Sequence, residues 1–132
     1  DALAAGVMQK ASSVAYNDHT LHGDIAAFYI DIGMLDEARK ALDVFSKNTK
    51  DRARLHNAWG YYYSKTGDVD SAIERFHKAL DAKPSLYDAH RNLGLMYLEK
   101  GESDLARKAF EQSLSLNPKQ PNLILFMKER GL

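Results

Sequence analysis

The stretch Trp59-Gly60-Tyr61-Tyr62-Tyr63-Ser64-Lys65-Thr66-Gly67-Asp68-Val69-Asp70-Ser71-Ala72-Ile73-Glu74-Arg75-Phe76 decides the fold. Its apolar residues fall in two bursts at three- and four-residue spacing, the mark of two amphipathic helices. The first burst holds Ala58, Trp59, Tyr62 and Tyr63, and the second Ala72, Ile73, Phe76, Ala79 and Leu80. Gly67 stands just past the first burst, where a left-handed residue stops a helix. Asp70 reads as the cap of the next helix, and Pro84 as its stop. A hairpin of helices is the expectation.

The same residue classes return 34 places away on both sides. Gly33, Gly67 and Gly101 align, as do Ala38, Ala72 and Ala106, and Tyr29, Tyr63 and Tyr97. Asp36 and Asp104 stand at the place given to Asp70. A fixed period of this length means stacked units, none of which can bury its apolar face alone. The repeats run His19–Arg52, Ala53–Leu86 and Tyr87–Gln120. Gly60, Gly94 and Ala26 are small where the first helix must approach its partner closely, and Phe76 and Phe110 are expected to fill the space between hairpins. Replacing Ala72 by a large residue is expected to overpack this contact at a cost of about 1–3 kcal/mol.

These residues carry a family resemblance. Trp59-Gly60 with Tyr63, Gly67, Ala72, Phe76, Ala79 and Pro84 resembles a tetratricopeptide repeat. Leu93-Gly94 with Tyr97, Gly101, Ala106, Phe110, Ser113 and Pro118 is a second near-complete match. The first copy is more degenerate: Ile25-Ala26, Tyr29, Gly33, Ala38, Leu42 and Phe45, with Lys50 in place of proline. The resemblance implies a single all-α domain, a right-handed solenoid of helical hairpins with an extra helix at each end.

The ends depart from the period. Residues 1–18 match the second half of a repeat, with Ala4, Met8 and Ala11 at signature places, and read as one N-terminal helix. The chain starts at Asp1 with no leader in view, so it reads as a trimmed piece of a longer protein. Residues 121–132 read as a capping helix opened by Pro121. Its run Leu123-Ile124-Leu125-Phe126-Met127 exceeds what a cap needs, because a helix turns five consecutive apolar residues to every side. Leu123, Ile124 and Phe126 are the candidates for self-association or for meeting a further repeat.

Composition narrows the function. The 132 residues hold 18 Lys and Arg against 18 Asp and Glu, so no global field draws the chain to nucleic acid. There are 0 cysteines, which excludes thiolate nucleophiles, disulfides and cysteine metal sites and leaves the compartment open. No apolar run approaches the roughly 20 residues of a spanning helix, so direct membrane insertion is not expected. Nucleophile elbows, phosphate loops and metalloprotease helices are missing, and no catalysis and no cofactor are expected. His22, His56 and His90 share the fourth place of each repeat. They read as packing side chains, because helix axes about 8–10 Å apart keep such a ladder too wide for a shared metal.

The variable places are where specificity is expected. In the resembled family the second, fifth, ninth and twelfth places of each repeat point into a concave groove. Carried over, these are Thr20, Gly23, Ala27 and Ile30, then Arg54, Asn57, Tyr61 and Ser64, then Asp88, Arg91, Leu95 and Leu98, with Leu123 and Met127 added by the last helix. The candidate partner site is therefore Arg54, Asn57, Tyr61, Arg91, Leu95, Leu98 and Met127. Tyrosine and arginine are common anchors, and arginine pairs with carboxylates, so the expected partner is a protein or peptide segment with apolar anchors and an acidic group. The chaperone-tail binders of the family place lysine and asparagine where Gly23 and Ala27 stand, so that clamp is not expected here. The alternative is an assembly scaffold that joins copies through the last helix.

Overall fold

The computed structural model describes residues 2–6 and 21–132. Residues 2–6 are helical, and the rest of the expected N-terminal helix, with Met8 and Ala11, lies outside the described residues. Seven helices follow: α1 (Leu21–Asp31), α2 (Leu35–Asn48), α3 (Arg52–Thr66), α4 (Val69–Ala82), α5 (Tyr87–Glu99), α6 (Ser103–Leu116) and α7 (Pro121–Arg130). The closest associations are within the pairs α1–α2, α3–α4 and α5–α6, giving three hairpins. Helix α1 also touches α3, and α3 touches α5, so the first helices lie side by side along the stack. The chain is an all-α solenoid.

Glycine sets the hairpin corners. Gly33, Gly67 and Gly101 have φ of +80°, +87° and +77°, a region that costs other residues steric strain. At the middle corner the Gly67 N–H returns to the Tyr63 carbonyl, closing α3. The next helix begins sooner than the sequence implied. Asp68, not Asp70, caps α4: its carboxylate accepts from the Ser71 N–H at 3.2 Å and from the Ser71 hydroxyl at 2.8 Å. Asp36, Asp70 and Asp104 all sit in the first helical turn, and the cap positions of α2 and α6 are Met34 and Glu102, without side-chain capping bonds. The three aspartates act through the positive N-terminal end of the helix dipole rather than as caps.

The core runs through the hairpins as linked clusters. Ile25, Ala26, Tyr29, Ala38, Leu42, Phe45, Leu55 and Trp59 form the first, which Ala5 of the N-terminal segment joins. Ala72, Phe76, Leu93 and Met96 form the second, and Ala106, Phe110, Leu123 and Met127 the third. The small residues are needed where they stand. A Cβ built on Gly60 would lie 2.5 Å from the Phe76 ring, and one on Gly94 2.5 Å from Phe110. Each phenylalanine is fully buried because its partner helix has no side chain at that point.

The last helix corrects two expectations. Leu123 and Met127 are only 6% and 8% exposed, both packed against Phe110. Four residues apart, they share one face of α7, and that face closes the open end of the third hairpin. Met127 therefore belongs to the core rather than the groove surface, and Leu123 is buried except where it borders the hollow shared with Tyr87 and Gln120. Ile124 and Leu125 point outward, at 50% and 55% exposure. Phe126 lies between these extremes, edge-on to Phe110 at 5.9 Å.

Candidate functional site

The exposed surfaces of α1, α3 and α5 form one face with two cavities along it, which meet at Tyr61. The first encloses about 490 Å³ and is lined by Gly23, Asp24, Ala27 and Asp31 of α1, Arg54, Asn57 and Tyr61 of α3, and Asp88, Arg91 and Asn92 of α5. The second, about 510 Å³, is lined by Tyr61, Ser64 and Lys65, by Asn92, Leu95, Leu98 and Glu99, and by Phe126 and Arg130 of α7. A third hollow of about 500 Å³ lies where Tyr87, Arg91 and Leu95 meet Gln120, Asn122 and Phe126.

Of the candidate partner residues, Arg54, Asn57, Tyr61, Arg91, Leu95 and Leu98 line these cavities and Met127 does not. Ile30, at the twelfth place of the first repeat, is buried at 3% exposure. Phe126, read as a self-association residue, also faces the second and third hollows. Asp24, Asp31, Lys65, Asn92 and Arg130 line the face as well and were not singled out by the sequence. The first four stand one residue beyond the fifth and twelfth places. An amphipathic face is about 100° wide, one residue's turn, so neighbours of the chosen places share it.

Charge on this face is arranged in pairs. The Arg54 guanidinium donates to Asp24 at 3.4 Å, tying the second repeat to the first. Arg91 donates to Asp88 at 2.9 Å and to the Gln120 side-chain oxygen at 3.1 Å. Gln120 is itself buried, and its amide donates to the carbonyls of Ser113 and Asn117. Arg91 is thereby part of the join between α6 and α7. The Tyr61 hydroxyl donates to Asp31. Burial, then the bond to Asp31 and its negative charge, push the Tyr61 phenol up to about 12, with Arg91 opposing. Tyr61 is held as a neutral donor, fixed in place by the preceding repeat. Asn92 donates to Asn57 at 3.4 Å, linking the second and third first-helices.

Two cations on this face are held differently. The Lys65 ammonium lies 5.4 Å from the centre of the Tyr61 ring, and the Arg130 guanidinium 4.6 Å from that of Phe126. Such cation–ring contacts hold the side chain without neutralising it.

The histidines of the shared fourth place turn to separate surroundings. His22 is buried, His56 Nδ1 faces Arg75 at 3.2 Å, and His90 Nε2 meets the Pro84 carbonyl at 3.0 Å. Among the described residues, no group of three or more histidine, aspartate or glutamate side chains is arranged to hold a metal ion. No helix among them is long and apolar enough to cross a membrane.

Residues 57–121 match the sequence profile of the tetratricopeptide repeat. The Arabidopsis thaliana protein PYG7, a chloroplastic tetratricopeptide repeat domain-containing protein, is 32% identical over 80 residues, which cover 61% of this chain and 27% of that one. Photosystem I assembly protein Ycf3 of Synechococcus sp. (strain WH7803) is 29% identical over 101 residues, covering 67% of this chain and 58% of its own. The chain thus spans between about a quarter and somewhat over half the length of these curated relatives. Among solved structures, MamA superposes with a TM-score of 0.68 at 24% identity, covering 98% of this chain and 78% of MamA. The first TPR of Spaghetti (RPAP3), bound to the HSP90 peptide SRMEEVD, superposes with a TM-score of 0.71 at 16% identity, covering 86% of this chain and 90% of that one. Repeat period, glycine corners, hairpin stacking and these likenesses agree: the chain belongs to the tetratricopeptide repeat family.

Proposed function

We propose that this chain is a non-catalytic protein-interaction module that holds a segment of a partner protein along the face formed by α1, α3 and α5. One observation carries the reading. Tyr61, an aromatic anchor with its hydroxyl fixed by Asp31, stands where two cavities of about 500 Å³ meet, beside the exposed Leu95. A pre-positioned aromatic residue next to apolar surface is the common composition of a binding hot spot. The relatives point the same way: Ycf3 is named for photosystem I assembly, and the RPAP3 domain holds a peptide on this fold. The balance of basic and acidic residues favours a protein over a nucleic acid as partner.

The test is capture from the source organism by the wild-type chain and by a Tyr61→Ala, Leu95→Glu variant. Arg91 is left alone because it ties Gln120 to the fold. The variant should retain its helical signal and melting temperature and lose the proteins that the wild type retains. Undiminished capture by a folded variant overturns the groove reading.

A second reading rests on Ile124 and Leu125, adjacent and half-exposed on α7. In it the chain is an assembly scaffold whose copies meet through this helix. Ile124→Glu should then lower the mass seen by light scattering and leave groove binding intact. A wild-type chain that stays monomeric at high concentration excludes it.

A further inference from the structure

Resting on the groove reading, we infer that the partner segment is acidic and apolar: a large apolar side chain flanked by aspartate or glutamate, seated in the cavity between α3, α5 and α7. Charge complementarity selects this occupant. On the shared face, Arg54 and Arg91 are already engaged by Asp24 and Asp88, so an incoming carboxylate would have to break an existing pair. Lys65 and Arg130 differ. Both line the second cavity, both are exposed, and among the described residues neither has a carboxylate within ion-pair distance. Lying over Tyr61 and Phe126, each is oriented by a ring yet keeps its donors for a new partner. Between them the cavity offers Leu95, Met96 and Leu98, with Glu99 as its one acidic side chain.

The arrangement sorts partners by sign. A carboxylate on either side of the apolar anchor gains a charge-assisted bond to a waiting cation. A lysine or arginine there would meet Lys65 or Arg130, and like-charge contact is a strong source of discrimination. The first cavity, where Asp24, Asp31, Asp51 and Asp88 outnumber Arg54, Lys83 and Arg91, does not favour a negative segment. The acidic stretch therefore belongs at the α7 end of the face and not at the α1 end.

The experiment is selection of a random dodecamer library on the full chain. The C-terminus of each peptide is fused to the display protein, so that carboxylates come from side chains. Binders are kept if the Tyr61→Ala, Leu95→Glu variant loses them. The expected set is enriched in glutamate and aspartate around a leucine, methionine or phenylalanine. Its members should bind Lys65→Glu and Arg130→Glu at least tenfold more weakly, bind Lys108→Glu, an exposed charge reversal on α6 outside the three cavities, within about threefold of wild type, and weaken as salt rises. Groove-dependent binders that are basic or indifferent to charge, or that tolerate both reversals, overturn this inference and leave the groove reading standing. A library with no Tyr61-dependent binder overturns both.

Discussion

The first hairpin and the two that follow solve the same packing problem one turn apart. In the second and third, a glycine on the first helix faces a phenylalanine on the second: Gly60 with Phe76, and Gly94 with Phe110. The first hairpin has Ala26 and Leu42 at those places, both fully buried. Its glycine–phenylalanine contact is Gly23 with Phe45, three residues earlier on α1 and three later on α2. Because the helices of a hairpin run antiparallel, these shifts move both members in the same direction in space, toward the hairpin's open end. The contact survives because it has slid as a unit. It also changes its use, since Phe45 and Gly23 now line the first cavity and the Arg54 guanidinium lies 5.9 Å from the Phe45 ring.

The fit differs as well, and this difference gives the largest expected effect. A Cβ on Gly60 would sit 2.5 Å from Phe76, whereas one on Gly23 would sit 3.2 Å from Phe45. Gly60→Ala should overpack its hairpin at a cost of about 1–3 kcal/mol, only partly offset by the roughly 1 kcal/mol by which alanine is the better helix former. Gly23→Ala needs a movement of a few tenths of an ångström, and the propensity gain should leave it within about 0.5 kcal/mol of wild type. Urea midpoints of the two variants measure this directly. Equal destabilisation by both would mean that the slid contact is as tight as the others.

A smaller contrast lies at the second-helix starts, where only the middle hairpin has a side-chain cap, Asp68. Asp68→Ala should cost about 1 kcal/mol. Asp70→Ala should cost less than half of that, because Asp70 contributes only a dipole interaction and an exposed pair with Lys100. Glu102→Ser, which supplies the missing cap to the third hairpin, should raise its stability by about 0.5–1 kcal/mol. Thermal melts of the three variants rank them, and a larger loss from Asp70→Ala would return the cap to that position.

The period made the corners legible, since only glycine accepts the φ that Gly33, Gly67 and Gly101 share. The family resemblance, carried over place by place, put Arg54, Tyr61, Arg91 and Leu95 on one face. It could not show what pairs with what. Arg54 reaches Asp24, Tyr61 reaches Asp31 and Lys100 reaches Asp70, each across a separation of 30 residues rather than 34. Asn92 meets Asn57 across 35, so which residues of neighbouring hairpins pair is set by how the hairpins lean together and not by the period. Reading column by column also hid the slid Gly23–Phe45 contact. In α7 the run of five apolar residues carries no periodicity, so only the packed structure tells the inward Leu123 and Met127 from the outward Ile124 and Leu125.

The smallest expected effect separates the histidines of the three hairpins. His90 bonds a carbonyl, whereas His56 faces the guanidinium of Arg75 at 3.2 Å. Arginine only donates, so His56 Nδ1 must be an acceptor and the ring neutral. Burial lowers the His56 pKa below its ordinary 6.5, and the charges of Arg75, Arg52 and Lys78 lower it further. Well above pH 6.5 the ring is neutral in both folded and unfolded chains, and the site costs the fold nothing. As pH falls, the unfolded chain takes up the proton first. Stability is lost progressively until pH passes below the folded pKa, where the penalty is complete. Glutamine keeps an acceptor for Arg75 and cannot titrate. Between pH 7.5 and 5.0 the urea midpoint of wild type should therefore fall further than that of His56→Gln. Parallel decline of the two would mean that the proton is taken up elsewhere than at the second hairpin's histidine.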